Sequence, residues 1–111
     1  MELLQHICPV CGYRGLVDKP HHADYDGSFS YEICPCCGFE FGFTDISEGI
    51  MPAAYRGLWV RKGMKWHSSS ASCPSDWNPV EQVTSIPENV IQSYSKYLRD
   101  HAAWQNPERV D

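Results

Sequence analysis

The chain lacks the features that would place it in a membrane, in the secretory route or in the commoner enzyme classes. No apolar run approaches the roughly 20 residues that a membrane-spanning helix needs. The opening stretch Met1-Glu2-Leu3-Leu4-Gln5-His6 has no basic region followed by an apolar one, and no lipidation motif is visible, so a cytoplasmic location is expected. Phosphate-cradling glycine loops, nucleophile elbows, metalloprotease helices and dinucleotide fingerprints are all missing. Positive charge is scarce too, with nine Lys and Arg against 14 Asp and Glu and a net charge of −5. Phosphate binding wants a basic face, so a nucleic-acid partner is disfavoured.

Cysteine, by contrast, is plentiful and patterned. The segment Cys8-Pro9-Val10-Cys11-Gly12-Tyr13 returns as Cys34-Pro35-Cys36-Cys37-Gly38-Phe39. Each copy places two cysteines with two residues between them, the spacing at which a tight turn aims both thiols at one point. Proline after the first cysteine pre-sets φ for such a turn, and glycine after the second allows a left-handed conformation. Aligning the copies puts Cys36 where Val10 stands. The expected metal ligands are therefore Cys8, Cys11, Cys34 and Cys37, with Cys36 pointing away.

A disulfide framework is the competing account of six cysteines, but a cytoplasmic chain keeps its thiols reduced. Zinc is the expected ion for a closed four-thiolate shell. A single iron is the alternative, since tetrahedral sulfur suits both and Cys-Gly-Tyr is similar to the iron-binding turns of rubredoxins. Four thiolates and a divalent cation together would take the net charge from −5 to −7.

One hundred and eleven residues, 42 % hydrophobic and 13 % aromatic, suit a single packed domain. The expected fold class is α+β: a small zinc-ribbon β-sheet over residues 1–45, and a helical extension over 46–111 whose two or three C-terminal helices pack on it. Alternation predicts Phe29, Tyr31 and Ile33 on one face of a strand, and Phe39, Phe41 and Phe43 on one side of the next. Pro52 and Gly63 bracket a predicted helix carrying Tyr55, Leu58 and Trp59 on one face. The run Ser68-Ser69-Ser70-Ala71-Ser72 predicts a loose loop. Asn78-Pro79-Val80-Glu81 and Ser85-Ile86-Pro87-Glu88 each predict a capped helix start. The second of these helices bears an apolar stripe of Val90, Ile91, Tyr94, Tyr97, Leu98 and Ala102.

Other chemistry-bearing residues have plainer readings. His21 and His22, near Asp24 and Asp26, read as solvated loop, because adjacent residues on an extended chain point in opposite directions. His67 has no nucleophile or carboxylate partner in sequence, and His6 is placed to give an outer-shell hydrogen bond to the first knuckle. Cys73, before Pro74, reads as incidental. Four cysteine ligands fill a tetrahedral shell, whereas a catalytic zinc keeps a position open, so no enzyme is expected.

The segment Tyr31-Glu32-Ile33-Cys34-Pro35-Cys36-Cys37-Gly38-Phe39-Glu40-Phe41-Gly42 resembles the small bacterial cysteine-rich proteins named for their C-P-C-C motif. Tyr55-Arg56 before Trp59, then Gly63, Trp66 and Trp77-Asn78-Pro79, are similar to the downstream pattern of their relatives. The resemblance implies a metal-stabilised fold and no particular reaction. The leading functional expectation is a zinc-stabilised, non-catalytic cytoplasmic module that binds another protein, one version being an immunity-type or antitoxin-type partner of a basic toxin. Two alternatives remain at this point. A nucleic-acid-binding zinc ribbon would use Arg56, Arg61, Lys62 and Lys65 with Trp59 or Trp66, and a thiol-redox or metal-transfer protein would use Cys36. Sequence leaves the oligomeric state open.

Overall fold

The two cysteine turns fold alike because their identical spacing dictates identical hydrogen bonds. The computed structural model of the protein describes residues 6–20 and 29–105, with side chains up to residue 100. In the first turn the Cys8 N–H donates to the Tyr13 carbonyl at 2.8 Å and the Gly12 N–H to the Cys8 carbonyl at 2.9 Å. In the second, the equivalent bonds run from Cys34 to Phe39 at 3.0 Å and from Gly38 to Cys34 at 2.8 Å. Gly12 and Gly38 take φ of +91° and +87°, a region that strains any residue with a Cβ. Both glycines are also closely covered. A Cβ on Gly12 would stand 2.6 Å from the Gln82 carbonyl oxygen, and one on Gly38 2.7 Å from His67 Nδ1.

The expected ribbon sheet is not found among the described residues. One isolated antiparallel bridge flanks each turn, His6 with Leu16 and Ile33 with Glu40. Backbone conformation explains why the strands stop so soon. Tyr31 sits at φ +59° and Gly42 at φ +97°, so each predicted strand is bent by a left-handed residue. Beyond Gly42 the chain curls, with the Phe43 and Thr44 N–H groups both donating to the Glu40 carbonyl. The predicted apolar faces break accordingly: Phe29, Phe39 and Phe41 are buried, while Tyr31, Ile33 and Phe43 are exposed. Residues 1–5 and the His21-His22 stretch, expected as a solvated loop, lie outside the described residues.

Among the described residues three helices supply the rest of this small globule: α1 (Pro52–Arg61), α2 (Pro79–Thr84) and α3 (Glu88–Gln105). Among the described residues no helix is long and apolar enough to cross a membrane. Pro52 opens α1 as predicted, and Gly63, at φ +100°, ends it with its N–H on the Val60 carbonyl. Asn78 caps α2, its side chain accepting from the Glu81 N–H at 3.1 Å. Ser85 departs from expectation: it closes α2, and α3 begins only at Glu88. The serine run is also more ordered than its composition suggests. Ser68 Oγ accepts from the Ser70 and Ala71 N–H groups, and Trp66 Nε1 donates to the Ala71 carbonyl at 2.9 Å.

The α3 stripe docks as its period predicts, with Tyr94, Tyr97 and Leu98 buried. Tyr94 and Tyr97 meet Phe29 edge-on, with ring centroids 6.2 and 5.2 Å apart, and Tyr94 meets Phe41 at 5.7 Å. Such pairs stabilise by about 0.5–1.5 kcal/mol each beyond their buried area, against a few tenths for an exposed i, i+4 ion pair such as Lys96–Asp100. Aromatic packing therefore decides where α3 lies. A buried carboxylate fixes it further: Asp45 accepts from Tyr94 OH through one oxygen, and from the Gly42 and Ile46 N–H groups at 2.9 and 2.8 Å through the other.

Burial raises the Asp45 pKa above its ordinary 3.8, against the pull of those hydrogen bonds. A raised folded-state value means that the native protein holds a proton the unfolded chain releases. Asp45's contribution is thus greatest below the ordinary carboxylate pKa and declines as pH rises toward the folded value. The unfolding free energy of Asp45→Asn relative to wild type should accordingly increase from about pH 4 to neutrality. Urea titrations at several pH values check this, and a flat difference would contradict it. Tyr94→Phe, which leaves the buried carboxylate one donor short, should lose about 1.5–3 kcal/mol.

Candidate metal centre

Two turns that each face their thiols inward bring four sulfurs to one place. Cys8, Cys11, Cys34 and Cys37 are all buried, and their sulfurs lie within 4.8 Å of one another. Cys8 and Cys37 Sγ are 3.9 Å apart, and Cys11 and Cys34 Sγ 3.8 Å. Four sulfurs bound tetrahedrally at about 2.3 Å from a zinc ion would stand about 3.8 Å from one another. The tetrad therefore has the size of a metal shell, and it could hold an ion whose identity this geometry does not distinguish. Disulfides would need sulfurs about 2 Å apart, and all six cysteines are free.

The electrostatics point the same way. Burial pushes the Cys37 thiol well above its ordinary value. At Cys34 burial also opposes ionisation, but hydrogen bonds from Cys11, Cys37 and Cys8 outweigh it and bring the pKa down. Cys11, as a donor to Cys34 and its neighbours, is raised. Alone, then, the cluster favours negative charge at Cys34 and protons on Cys11 and Cys37. A divalent cation supplies what full ionisation requires, and its binding would release protons and weaken as pH falls.

Turning the thiols inward leaves the backbone carbonyls pointing outward, into the packed surroundings, where each needs a donor. Every one of the eight has one. Within the turns, Gly12 and Gly38 serve Cys8 and Cys34. Arg56 of α1 reaches the first turn with Nε 2.7 Å from the Val10 carbonyl and Nη2 2.8 Å from that of Pro9. Tyr55, its neighbour, donates its hydroxyl to the Cys37 carbonyl of the second turn at 2.9 Å. Burial, and then the electrostatics of the neighbouring cysteine cluster, raise the Tyr55 pKa and keep that hydroxyl a donor. Gln82 of α2 donates to the Cys11 carbonyl at 3.1 Å. The loop after α1 completes the set, with the Ser68 N–H on Pro35 at 2.8 Å and the His67 N–H on Cys36 at 3.0 Å.

An aromatic layer lies beside these donors. Trp66 packs edge-on against Tyr13 and Trp77 at 5.7 and 5.5 Å, and Trp59 lies 6.4 Å from Trp77. The indole N–H groups of Trp59 and Trp77 are bonded as well, to the Lys65 carbonyl and to Gln82 Oε1.

The four thiols expected as ligands converge, and Cys36 is not among them. Cys36 is fully buried, as Val10 is in the first turn, and Gln82 Nε2 donates to its sulfur at 3.4 Å. Arg56 is one of the four basic residues that the nucleic-acid alternative would use with Arg61, Lys62 and Lys65. Its guanidinium is bound to the first turn, and the other three are exposed at and beyond the end of α1. His67 contributes its backbone N–H and covers Gly38, while His6 forms the first bridge. Cys73 is exposed and remote in role. His21 and His22 fall outside the described residues. Tyr55, Arg56 and Gln82 carried no spacing that would have marked them as carbonyl donors.

The chain is similar to two Bacillus subtilis (strain 168) proteins, YozI and YoaQ, each described as an uncharacterized protein. It is 37 % identical to YozI over 73 residues, covering 54 % of this chain and 60 % of YozI. With YoaQ the identity is 39 % over 73 residues, 53 % of this chain and 60 % of YoaQ. The chain thus spans about three-fifths of the length of these curated relatives. No family model matches it, and no solved structure does.

Arg56→Met removes two charge-assisted bonds to buried carbonyls and should lower stability by about 1.5–3 kcal/mol. Arg56→Lys should recover only part of this, because one ammonium does not reproduce a fork that serves two carbonyls. Denaturant unfolding of both variants with excess zinc present checks the order.

Proposed function

We propose that this chain is a zinc-stabilised, non-catalytic module of the cysteine-rich C-P-C-C type that acts in the cytoplasm by binding another protein. Cys8, Cys11, Cys34 and Cys37 would hold the ion, which would cross-link the two turns and so stabilise the fold around them. The single observation behind this reading is the closed character of the tetrad. Its four buried thiols match a complete tetrahedral shell, and helices and loop cover the turns from outside. Such a shell leaves a substrate no coordination position, which is what separates structural from catalytic zinc.

The partner we infer is a basic protein. An open groove of about 580 Å³ lies between the first turn and α2, with Gly12, Tyr13, Arg14, Asp76, Trp77 and Glu81 among its lining residues. Aromatic walls beside carboxylates suit lysine and arginine side chains, and the chain's net charge of −5 favours their approach. Two observations weigh against the alternatives. Arg56 is bound to carbonyls rather than free for phosphate, and Cys36 is too buried for ready thiol exchange.

Affinity purification of the full chain from its native host should recover a stoichiometric basic protein. Binding of that protein, measured by calorimetry, should weaken with added salt and with Asp76→Lys combined with Glu81→Lys. Recovery of no such protein, or binding indifferent to both changes, would contradict the proposal.

A further inference from the structure

The C-P-C-C turn presents a choice that the ligand count alone does not resolve. It offers three sulfurs within four residues, Cys34, Cys36 and Cys37, to a tetrad with room for two of them. Cys36 is no distant bystander. It is as buried as Cys34 and belongs to the same core cluster. A fully buried fifth thiol beside four converging ones is a competing ligand unless something holds it aside.

Gln82 is placed to do so. Its carboxamide is engaged on all sides. Oε1 accepts from Trp77 Nε1 at 2.9 Å, while Nε2 donates to the Cys11 carbonyl at 3.1 Å and to Cys36 Sγ at 3.4 Å. Those partners fix which end of the amide faces the turns: an indole N–H requires an acceptor and a carbonyl requires a donor, so a flipped amide would satisfy neither. The amide N–H is thus aimed at the Cys36 sulfur by two groups that do not belong to the C-P-C-C turn. Trp77 is itself braced by Trp59 and Trp66, so the brace runs into the aromatic layer.

We propose that Gln82, held by Trp77 and the Cys11 carbonyl, is a positioning residue that keeps the Cys36 sulfur out of the metal shell and so assigns the fourth ligand place to Cys37. This rests on the reading of Cys8, Cys11, Cys34 and Cys37 as the ligands and goes beyond it. The sequence of the turn permits either sulfur, and a side chain 45 residues downstream selects between them. It also gives Cys36 a role that its burial would otherwise hide, as a spare ligand released when the Gln82 contact is lost.

Cobalt(II) added to the metal-free full chain reports the number of bound thiolates through sulfur-to-metal charge-transfer absorbance. Wild type and Cys36→Ser should both show four thiolates, and Cys37→Ser three. Adding Gln82→Met to Cys37→Ser should restore the fourth, and further adding Cys36→Ser should remove it again. A drop to three in Cys36→Ser alone, or a Cys37→Ser, Gln82→Met chain that stays at three, overturns the inference. A wild-type chain that binds no cobalt through thiolates overturns the ligand reading itself, a result distinct from either of those. Cobalt transfer to a chelator provides a second arm on chains with all four ligands intact. Gln82→Met should accelerate release several-fold, and Cys36→Ser in the same chain should abolish that acceleration. Acceleration that survives Cys36→Ser would mark Gln82 as a packing residue only and would overturn the proposal.

Discussion

Four sulfurs buried within one ion's reach of each other are the constraint that the rest of this protein answers to. Thiols so placed repel one another as they ionise, and burial denies them water as a remedy. A cation held there would turn that liability into a cross-link between turns 26 residues apart in the chain. Structural zinc in small domains contributes on the order of 10–16 kcal/mol in peptide systems, as much as the whole net stability of an ordinary domain. With two isolated bridges in place of a sheet among the described residues, such a cross-link would do much to hold the N-terminal half together.

The helices follow from the same constraint. Aiming thiols inward forces eight carbonyls outward, and outward here means into packed protein. The helical extension supplies the missing donors from α1, α2 and the loop between them, in neighbouring or nearly neighbouring pairs. Tyr55 and Arg56, adjacent on α1, reach different turns, and His67 and Ser68 share the second. The extension is therefore part of the site's construction rather than an appendage to it. Gln82 stands where these functions meet, joined to a carbonyl of one turn, a sulfur of the other and the indole of Trp77.

This division explains what could be read from the sequence. The sulfur tetrad was legible because cysteine spacing encodes turn geometry directly, and Pro52, Asn78 and the α3 stripe were legible because caps and periodicity are local. The expected sheet is not found among the described residues, because alternation at Phe39, Phe41 and Phe43 says nothing of a left-handed bend at Gly42, which depends on what packs around it. The hydrogen-bond partners of Cys36 and Arg56 are illegible for a related reason. Each side chain's partner lies more than 40 residues away in the chain, and no local pattern announces a hydrogen bond at that range. The resemblance to C-P-C-C proteins had singled out Tyr55-Arg56, Trp66 and Trp77 without a reason. The structure supplies one, since each helps to cover the turns.

X-ray absorption at the metal edge of chain purified without chelators tests this account most directly, because it counts and identifies the atoms around the ion. The account predicts one ion per chain with four sulfur neighbours at about 2.3 Å and no lighter ligand. A folded chain that carries no stoichiometric metal, or a shell that includes nitrogen or oxygen, would contradict it.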